Sequence, residues 1–273
     1  MSGPADSFIE TPAGRFRALT WGDPRGETVL FLHGLTAVAE VWGPVVNLLS
    51  PDRHYVAIDQ RGHGDSPHGG PYHAGRFVAD TRQVIAALGG PVHLVGHSMG
   101  ARVAILMAAR TPRLLKSVAV VDIGVEASRQ NIQETSHAIE RMPASFPTED
   151  DAFAFAFPRR EPTATDRAVF RARLKQPDGR SLVWRGSPEA MVEIVHTHRT
   201  RNFWSDWRSM GVRALYVRGG RSNEVSPAIY EKMKRENPGV RYVEFDGVPH
   251  NVPLVAPDRL ADELESFWRG ELS

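Results

Sequence analysis

A chain of 273 residues with 33 Lys plus Arg against 32 Asp plus Glu has a formal net charge of +1, which gives no electrostatic case for nucleic acid or an anionic membrane surface. The absence of cysteine excludes disulfides, thiolate metal sites and thiol catalysis, so any nucleophile is a hydroxyl, carboxylate or amine. Met1 to Glu10 has neither a basic n-region nor an apolar h-region, and no run approaches the ~20 apolar residues that span a bilayer. A soluble, cytoplasmic protein acting on a small molecule is the expectation, and oligomeric state is not legible.

In chain order, β-like stretches at Phe8 to Thr11 and Arg15 to Trp21 flank Pro12-Ala13-Gly14, which has the length and composition of a hairpin loop. Short apolar runs follow at Val29 to Leu32, Tyr55 to Ile58, Val92 to Val95 and Ser117 to Val121. Each is too short for a buried helix and is bounded by turn residues, so they read as buried parallel strands. Between the second and third, Phe77, Val78, Thr81, Val84, Ile85 and Leu88 share one helical face that ends at Gly89-Gly90-Pro91. A second helix spans Met99 to Arg110. Strand and helix therefore alternate up to Asp122, the signature of a doubly wound sheet.

The alternation stops from Gly124 to about Phe203, a stretch rich in charges, aromatics and prolines that reads as a helical insertion. It resumes with a strand at Ala214 to Val217, a helix at Pro227 to Glu236, a strand at Val240 to Phe245 and a helix at Pro257 to Trp268. The expected organisation is an α/β core over 1–123 and 204–273, with a helical cap over 124–203 inserted after the strand ending at Asp122.

The run Val95-Gly96-His97-Ser98-Met99-Gly100-Ala101 places G-x-S-x-G between a strand and a helix, the context that this motif requires. A turn so tight holds Ser98 in a strained backbone conformation and needs glycine at 96 and 100. It also sets the hydroxyl at a helix N-terminus, where unpaired amides favour developing negative charge. The competing role for Ser98 is simply to cap that helix.

These residues resemble the α/β-hydrolase superfamily, in particular its serine esterase and lipase-like members with a helical cap, and the resemblance covers nearly the whole chain. Phe31-Leu32-His33-Gly34 is similar to the family's oxyanion loop, which implies the Leu35 amide as one oxyanion donor and the Met99 amide as the other. Asp59-Gln60-Arg61-Gly62-His63-Gly64-Asp65-Ser66 is similar to the D-x-R-G-x-G-x-S turn of these proteins and reads as structural. The family's chain order of nucleophile, acid and histidine implies His250, in the loop after the last strand, as the base rather than His33, His63 or His97.

The family's usual acid position falls in Gly220-Arg221-Ser222-Asn223-Glu224-Val225-Ser226-Pro227. Aligning Gly220 and Pro227 puts Asn223 where aspartate is expected, and an amide does not stabilise imidazolium as a carboxylate does. Asp122 at the strand end after the nucleophile's strand is the favoured acid. Glu224 and Asn223 remain alternatives, and a loop-capping role remains open for Asp122.

The substrate pocket is expected to draw on His33, Gly34, Trp42, Phe153 and Phe157. The insertion's arginines, Arg159, Arg160, Arg167, Arg171 and Arg173, read as solvating a helix face. His196 and His198 do not have the spacing of a metal site, and no cofactor motif stands out. The implied activity is hydrolysis of small carboxylic esters or lactones through an acyl-enzyme. Carbon-carbon (meta-cleavage product) hydrolysis and amide hydrolysis are the alternatives within the family, and a non-catalytic ligand-binding relative is the alternative of another class.

Overall fold

The computed structural model describes residues 3–271. β1 (Ala5–Thr11) and β2 (Gly14–Gly22) form an antiparallel hairpin in register from Ala5 opposite Thr20 to Thr11 opposite Gly14. Pro12 and Ala13 make the turn, and Gly14 takes a φ of 121° that L side chains avoid. β3 (Thr28–Leu32), a short helix α1 (Gly43–Val46), β4 (His54–Ile58), α2 (Ala74–Ala87), β5 (Val92–His97), α3 (Met99–Arg110) and β6 (Leu115–Val121) follow in alternation.

The next stretch carries α4 (Arg129–Glu140), β7 (Ser145–Phe146), α5 (Glu149–Ala156), α6 (Ala164–Arg171), β8 (Leu174–Lys175), β9 (Leu182–Trp184) and α7 (Pro188–Arg199). After α8 (Trp204–Arg208), alternation returns with β10 (Ala214–Gly219), α9 (Pro227–Glu236), β11 (Arg241–Phe245), the short α10 (Val252–Val255) and α11 (Pro257–Arg269).

Eight strands form one sheet in the order β1-β2-β4-β3-β5-β6-β10-β11. β2 runs antiparallel to β4, and every pairing from β4 to β11 is parallel. The hydrophobic runs explain this arrangement. In β3, Leu30 and Leu32 pack with α2 and α3 on one face, while Val29 and Phe31 pack with α1 and α11 on the other. A strand buried on both faces reads as a continuous apolar run rather than an alternation. The chain leaves β3 for β4 on one side and returns to β5 on the other. Their carboxyl ends therefore flank a crevice of the kind where open α/β sheets bind ligands.

The inserted stretch is less purely helical than its composition suggested. Its helices start on side-chain caps: Ser128 for α4, Thr148 with Asp151 and Thr163 with Asp166 as capping boxes for α5 and α6, and Ser187 for α7. Between them β7, β9 and β8 form a three-stranded antiparallel sheet. Strands of two or three residues are too short to carry a readable alternation. The small sheet exists because Phe146, Phe170, Leu174, Leu182 and Trp184 bury one another in a local core. No described helix is long and apolar enough to cross a membrane.

Candidate active site

Ser98 sits between β5 and α3 with φ 54° and ψ −115°, and its amide donates to the Val121 carbonyl at 3.0 Å. The two flanking glycines are there because nothing larger fits. A Cβ on Gly96 would lie 2.3 Å from the Gly100 carbonyl oxygen, and one on Gly100 would lie 2.3 Å from that of Leu32. Among the described non-glycine residues, positive φ occurs at Thr36, Ser98 and Asp122, which all border this crevice. Strained backbone of this kind persists only where the surrounding structure over-determines it.

His250, in the loop between β11 and α10, bridges two of these strained positions. Its Nε2 lies 3.0 Å from Ser98 Oγ, and its Nδ1 lies 2.6 Å from Asp122 Oδ2. The Asp122 carboxylate is fully buried. It also accepts from the Gly219 amide at 2.7 Å and from Ser222 Oγ at 2.5 Å. The strand end of β6 therefore supplies the carboxylate, and the last residue of β10 and the loop after it supply the donors that hold it. His250 is set in turn by the residue before the serine: His97 Nε2 donates to the His250 carbonyl at 2.9 Å, and the two rings lie 4.8 Å apart. Burial pushes His97 down to about 4, so it is neutral at ordinary pH and fills a positioning role.

The other two candidate acids lie elsewhere. Asn223 is exposed and makes no hydrogen bond to His250. Glu224 turns toward Arg199 and pairs with it at 3.1 Å. Burial works to raise the Glu224 carboxyl, but Arg199, with help from His250 and Arg102, holds it below its ordinary value. Arg199 was not legible as a site residue. It ends α7, far from every motif, and reaches the crevice only because α7 packs against α4.

Met99 follows Ser98 in the chain and Leu35 lines the same cavity as Ser98, and among the described residues neither amide has a protein acceptor outside its own helix or strand. Free amides near a serine hydroxyl are what an oxyanion site needs. Gly34 lies against the nucleophile, since a Cβ there would be 3.1 Å from both Ser98 Cβ and His97 Nδ1.

A cavity of about 320 Å³ opens above Ser98, with His250, Leu35, Thr36, Met142, Phe155 and Arg199 in its walls. A second, of about 810 Å³, does not touch Ser98 but meets the first at Met142 and Phe155, which line both. Several residues expected in the pocket are outside it. His33 is fully buried beneath the loop, where Nδ1 donates to the Gly34 carbonyl at 2.7 Å and Nε2 accepts from the Gln60 amide at 2.9 Å. Burial pushes it down to about 4. Its role is to shape the loop rather than to touch ligand.

Trp42 is fully buried against Phe31, with ring centroids 4.9 Å apart, under the opposite face of the sheet. Phe153 packs into the small core of the inserted stretch, and Phe157 lines only the larger cavity. Composition could not sort these aromatics, because which face of a short helix meets the crevice depends on how that helix docks. Asp59 to Ser66 makes the structural turn. Asp59 is buried against Arg17 at 3.2 Å and accepts from the Ala39 amide, and a Cβ on Gly64 would collide with its carboxylate at 1.8 Å. Among the described residues no cluster of three or more His, Asp or Glu is placed to hold a metal ion.

A hydroxyl bonded to an imidazole that is itself held by a buried carboxylate can act as a nucleophile. Known proteins of similar sequence and fold are hydrolases. A family model described as "Alpha/beta hydrolase family" matches residues 29–263. The 2-(acetamidomethylene)succinate hydrolase of Mesorhizobium japonicum is 30% identical over 246 residues, covering 89% of this chain and 88% of that protein. Esterase Rv0045c of Mycobacterium tuberculosis is 28% identical, covering 96% of this chain and 89% of that protein. The crystal structure of E-2-(acetamidomethylene)succinate hydrolase superposes with a TM-score of 0.91 at 26% identity, covering 97% of this chain and 99% of that one. The chain belongs to the alpha/beta hydrolase family, and its relatives are hydrolases.

Proposed function

We propose that this protein is a serine hydrolase that cleaves small carboxylic esters or lactones through an acyl-enzyme. The observation that carries the reading is the position of His250 between Ser98 Oγ at 3.0 Å and Asp122 Oδ2 at 2.6 Å. In this mechanism His250 Nδ1 donates to Asp122, which leaves Nε2 as the acceptor for the serine proton. Ser98 Oγ attacks the substrate carbonyl as its proton passes to Nε2, and the carbonyl oxygen becomes an alkoxide facing the Leu35 and Met99 amides. Each such donor is worth about 3 kcal/mol of barrier. The imidazolium, stabilised by Asp122, protonates the leaving alkoxide as the carbon-oxygen bond breaks. Water then gives its proton to Nε2 and attacks the acyl-enzyme, and Ser98 recovers its proton as the acid departs.

Residues 124–203 act in this reading as a cap. Thr135, Ala138, Ile139, Met142 and Phe155 face Ser98 across the smaller cavity, which limits water and shapes the acyl and alcohol sites. A relative named for hydrolysis of an acetamidomethylene succinate favours amide-type cleavage as a second reading, since the same residues serve an amine leaving group.

A fluorophosphonate probe should label wild-type protein at Ser98 and leave Ser98→Ala unlabelled, and p-nitrophenyl acetate and butyrate should be turned over with the same dependence on Ser98. Absence of both labelling and turnover would refute the enzyme and leave a ligand-binding relative. Turnover of N-acyl anilides at rates matching the esters would move the assignment to the amide reading.

A further inference from the structure

Arg173 follows α6 and lines the larger cavity, with its guanidinium over the rings of Phe170 and Trp184 at 4.9 and 5.3 Å from their centroids. Four other arginines of the inserted stretch have a carboxylate partner. Arg160 pairs with Asp166 at 2.6 Å and Arg199 with Glu224 at 3.1 Å, while Arg171 and Arg185 pair with Glu149 and Asp65. Among the described residues, no carboxylate pairs with Arg173, and its Nε is buried without an acceptor. Burial lowers its pKa to about 10, with no acid opposing, so it remains a cation at neutral pH.

This departs from the reading of the insertion's arginines as solvated side chains. Arg173 is half-buried, and a guanidinium whose Nε is buried without a counter-ion, presenting a planar fork of donors at a cavity wall, suits a carboxylate. Phe155 and Phe157 give the cavity an apolar wall beside it, and Met142 and Phe155 line both this cavity and the space above Ser98.

We propose that Arg173 is an anion subsite, binding a carboxylate that the substrate carries at a distance from the bond attacked by Ser98. The inference rests on the serine-hydrolase reading and narrows its substrate class to esters with a free carboxylate beyond an apolar spacer.

The test compares kcat/KM for mono-p-nitrophenyl esters of dicarboxylic acids of increasing length with p-nitrophenyl esters of matching neutral acyl chains. A second pair, 4-acetoxybenzoate against 4-acetoxytoluene, puts the carboxylate on the leaving group. Wild-type enzyme should favour the charged ester in one of the two series. Arg173→Met should lower that charged-to-neutral ratio by roughly 10- to 100-fold, the range for a hydrogen-bonded charge pair, and Arg173→Lys should restore part of it.

A purely structural role in the aromatic sandwich would lower both activities and leave the ratio unchanged, which overturns the subsite. A wild type with no preference for the charged ester in either series and no competitive inhibition by free dicarboxylates also overturns it, whatever the variants do. Labelling and neutral-ester turnover separate the two levels: if both are present and the ratio is flat, only the subsite fails, and if both are absent, the hydrolase reading fails.

Discussion

At the scale of single residues, the carboxylate partner of His250 is the sharpest feature of the site. Asp122 reaches His250 because it leaves β6 with φ 52°, and its carboxylate also accepts from Gly219 at the end of β10 and from Ser222 in the loop beyond. Asn223, one residue beyond Ser222, is turned to solvent. Asp122→Asn should therefore cut kcat on p-nitrophenyl butyrate by ~10³- to 10⁴-fold, because an amide cannot stabilise imidazolium and disturbs its tautomer. Asn223→Ala should leave kcat within about twofold, the small effect expected of an exposed side chain without a partner. A severe loss in Asn223→Ala with Asp122→Asn unaffected would reverse the assignment. Asp122 and Asn223 were both legible as candidates from position alone. Their ranking rested on the chemistry of an amide against a carboxylate, and the direction of each side chain was invisible until the two loops were placed.

At the scale of elements, the site depends on the turn between β5 and α3. Helix and strand approach so closely that Gly96 and Gly100 face backbone oxygens at distances that no Cβ tolerates. Gly96→Ala should destabilise the protein by about 3 kcal/mol through overpacking against backbone that cannot move aside. Gly43 is the contrast. It has helical φ and ψ of −51° and −47°, and no atom lies within 4 Å of the position its Cβ would take. Gly43→Ala should stabilise by about 0.5 kcal/mol, since the substitution restricts the unfolded chain without strain in the folded one. Thermal unfolding of the two variants checks both, and equal shifts would show that close packing at the elbow is not what requires glycine. The elements themselves were largely readable, with α3 and α9 running over the residues expected and the six parallel strands within a few residues. The sheet of β7, β8 and β9 was not, because packing of distant aromatics rather than local pattern creates it.

At the scale of the whole molecule, five histidines are buried among the described residues, His33, His63, His93, His97 and His198, and burial holds each below its ordinary value. Burial lowers His33 and His97 to about 4 and His63 and His198 to about 3, from an ordinary 6.5. As pH falls below 6.5, the unfolded chain takes up protons that these rings refuse. Stability present at neutral pH is then lost, by up to about 1.4 kcal/mol per pH unit for each ring, until the pH reaches the folded values. Glu224, with its carboxyl held below the ordinary range, adds to the loss at the acid end, since its contribution is present above its unfolded value and disappears on protonation. The melting temperature should be steady from pH 7 to 8 and fall steeply between pH 6 and 4.5. A flat profile across that acid range would mean that the rings are hydrated in solution.

The sequence by itself determined the alternation of strand and helix and the tight turn at Ser98, and its family resemblance added His250 and Asp122 as that serine's candidate partners. The first two are written in local pattern: apolar runs bounded by turns and glycines at fixed spacing. Tertiary structure decided the rest. Asp122 and His250 are 128 residues apart in the chain, and whether they touch depends on the order of β6, β10 and β11 in the sheet. Which aromatics face the cavity and which arginines find a carboxylate are set by how the inserted stretch docks over the sheet. That docking is a sum of long-range contacts with no local period, so the sequence could name Ser98, His250 and Asp122 but not Arg173 or Arg199.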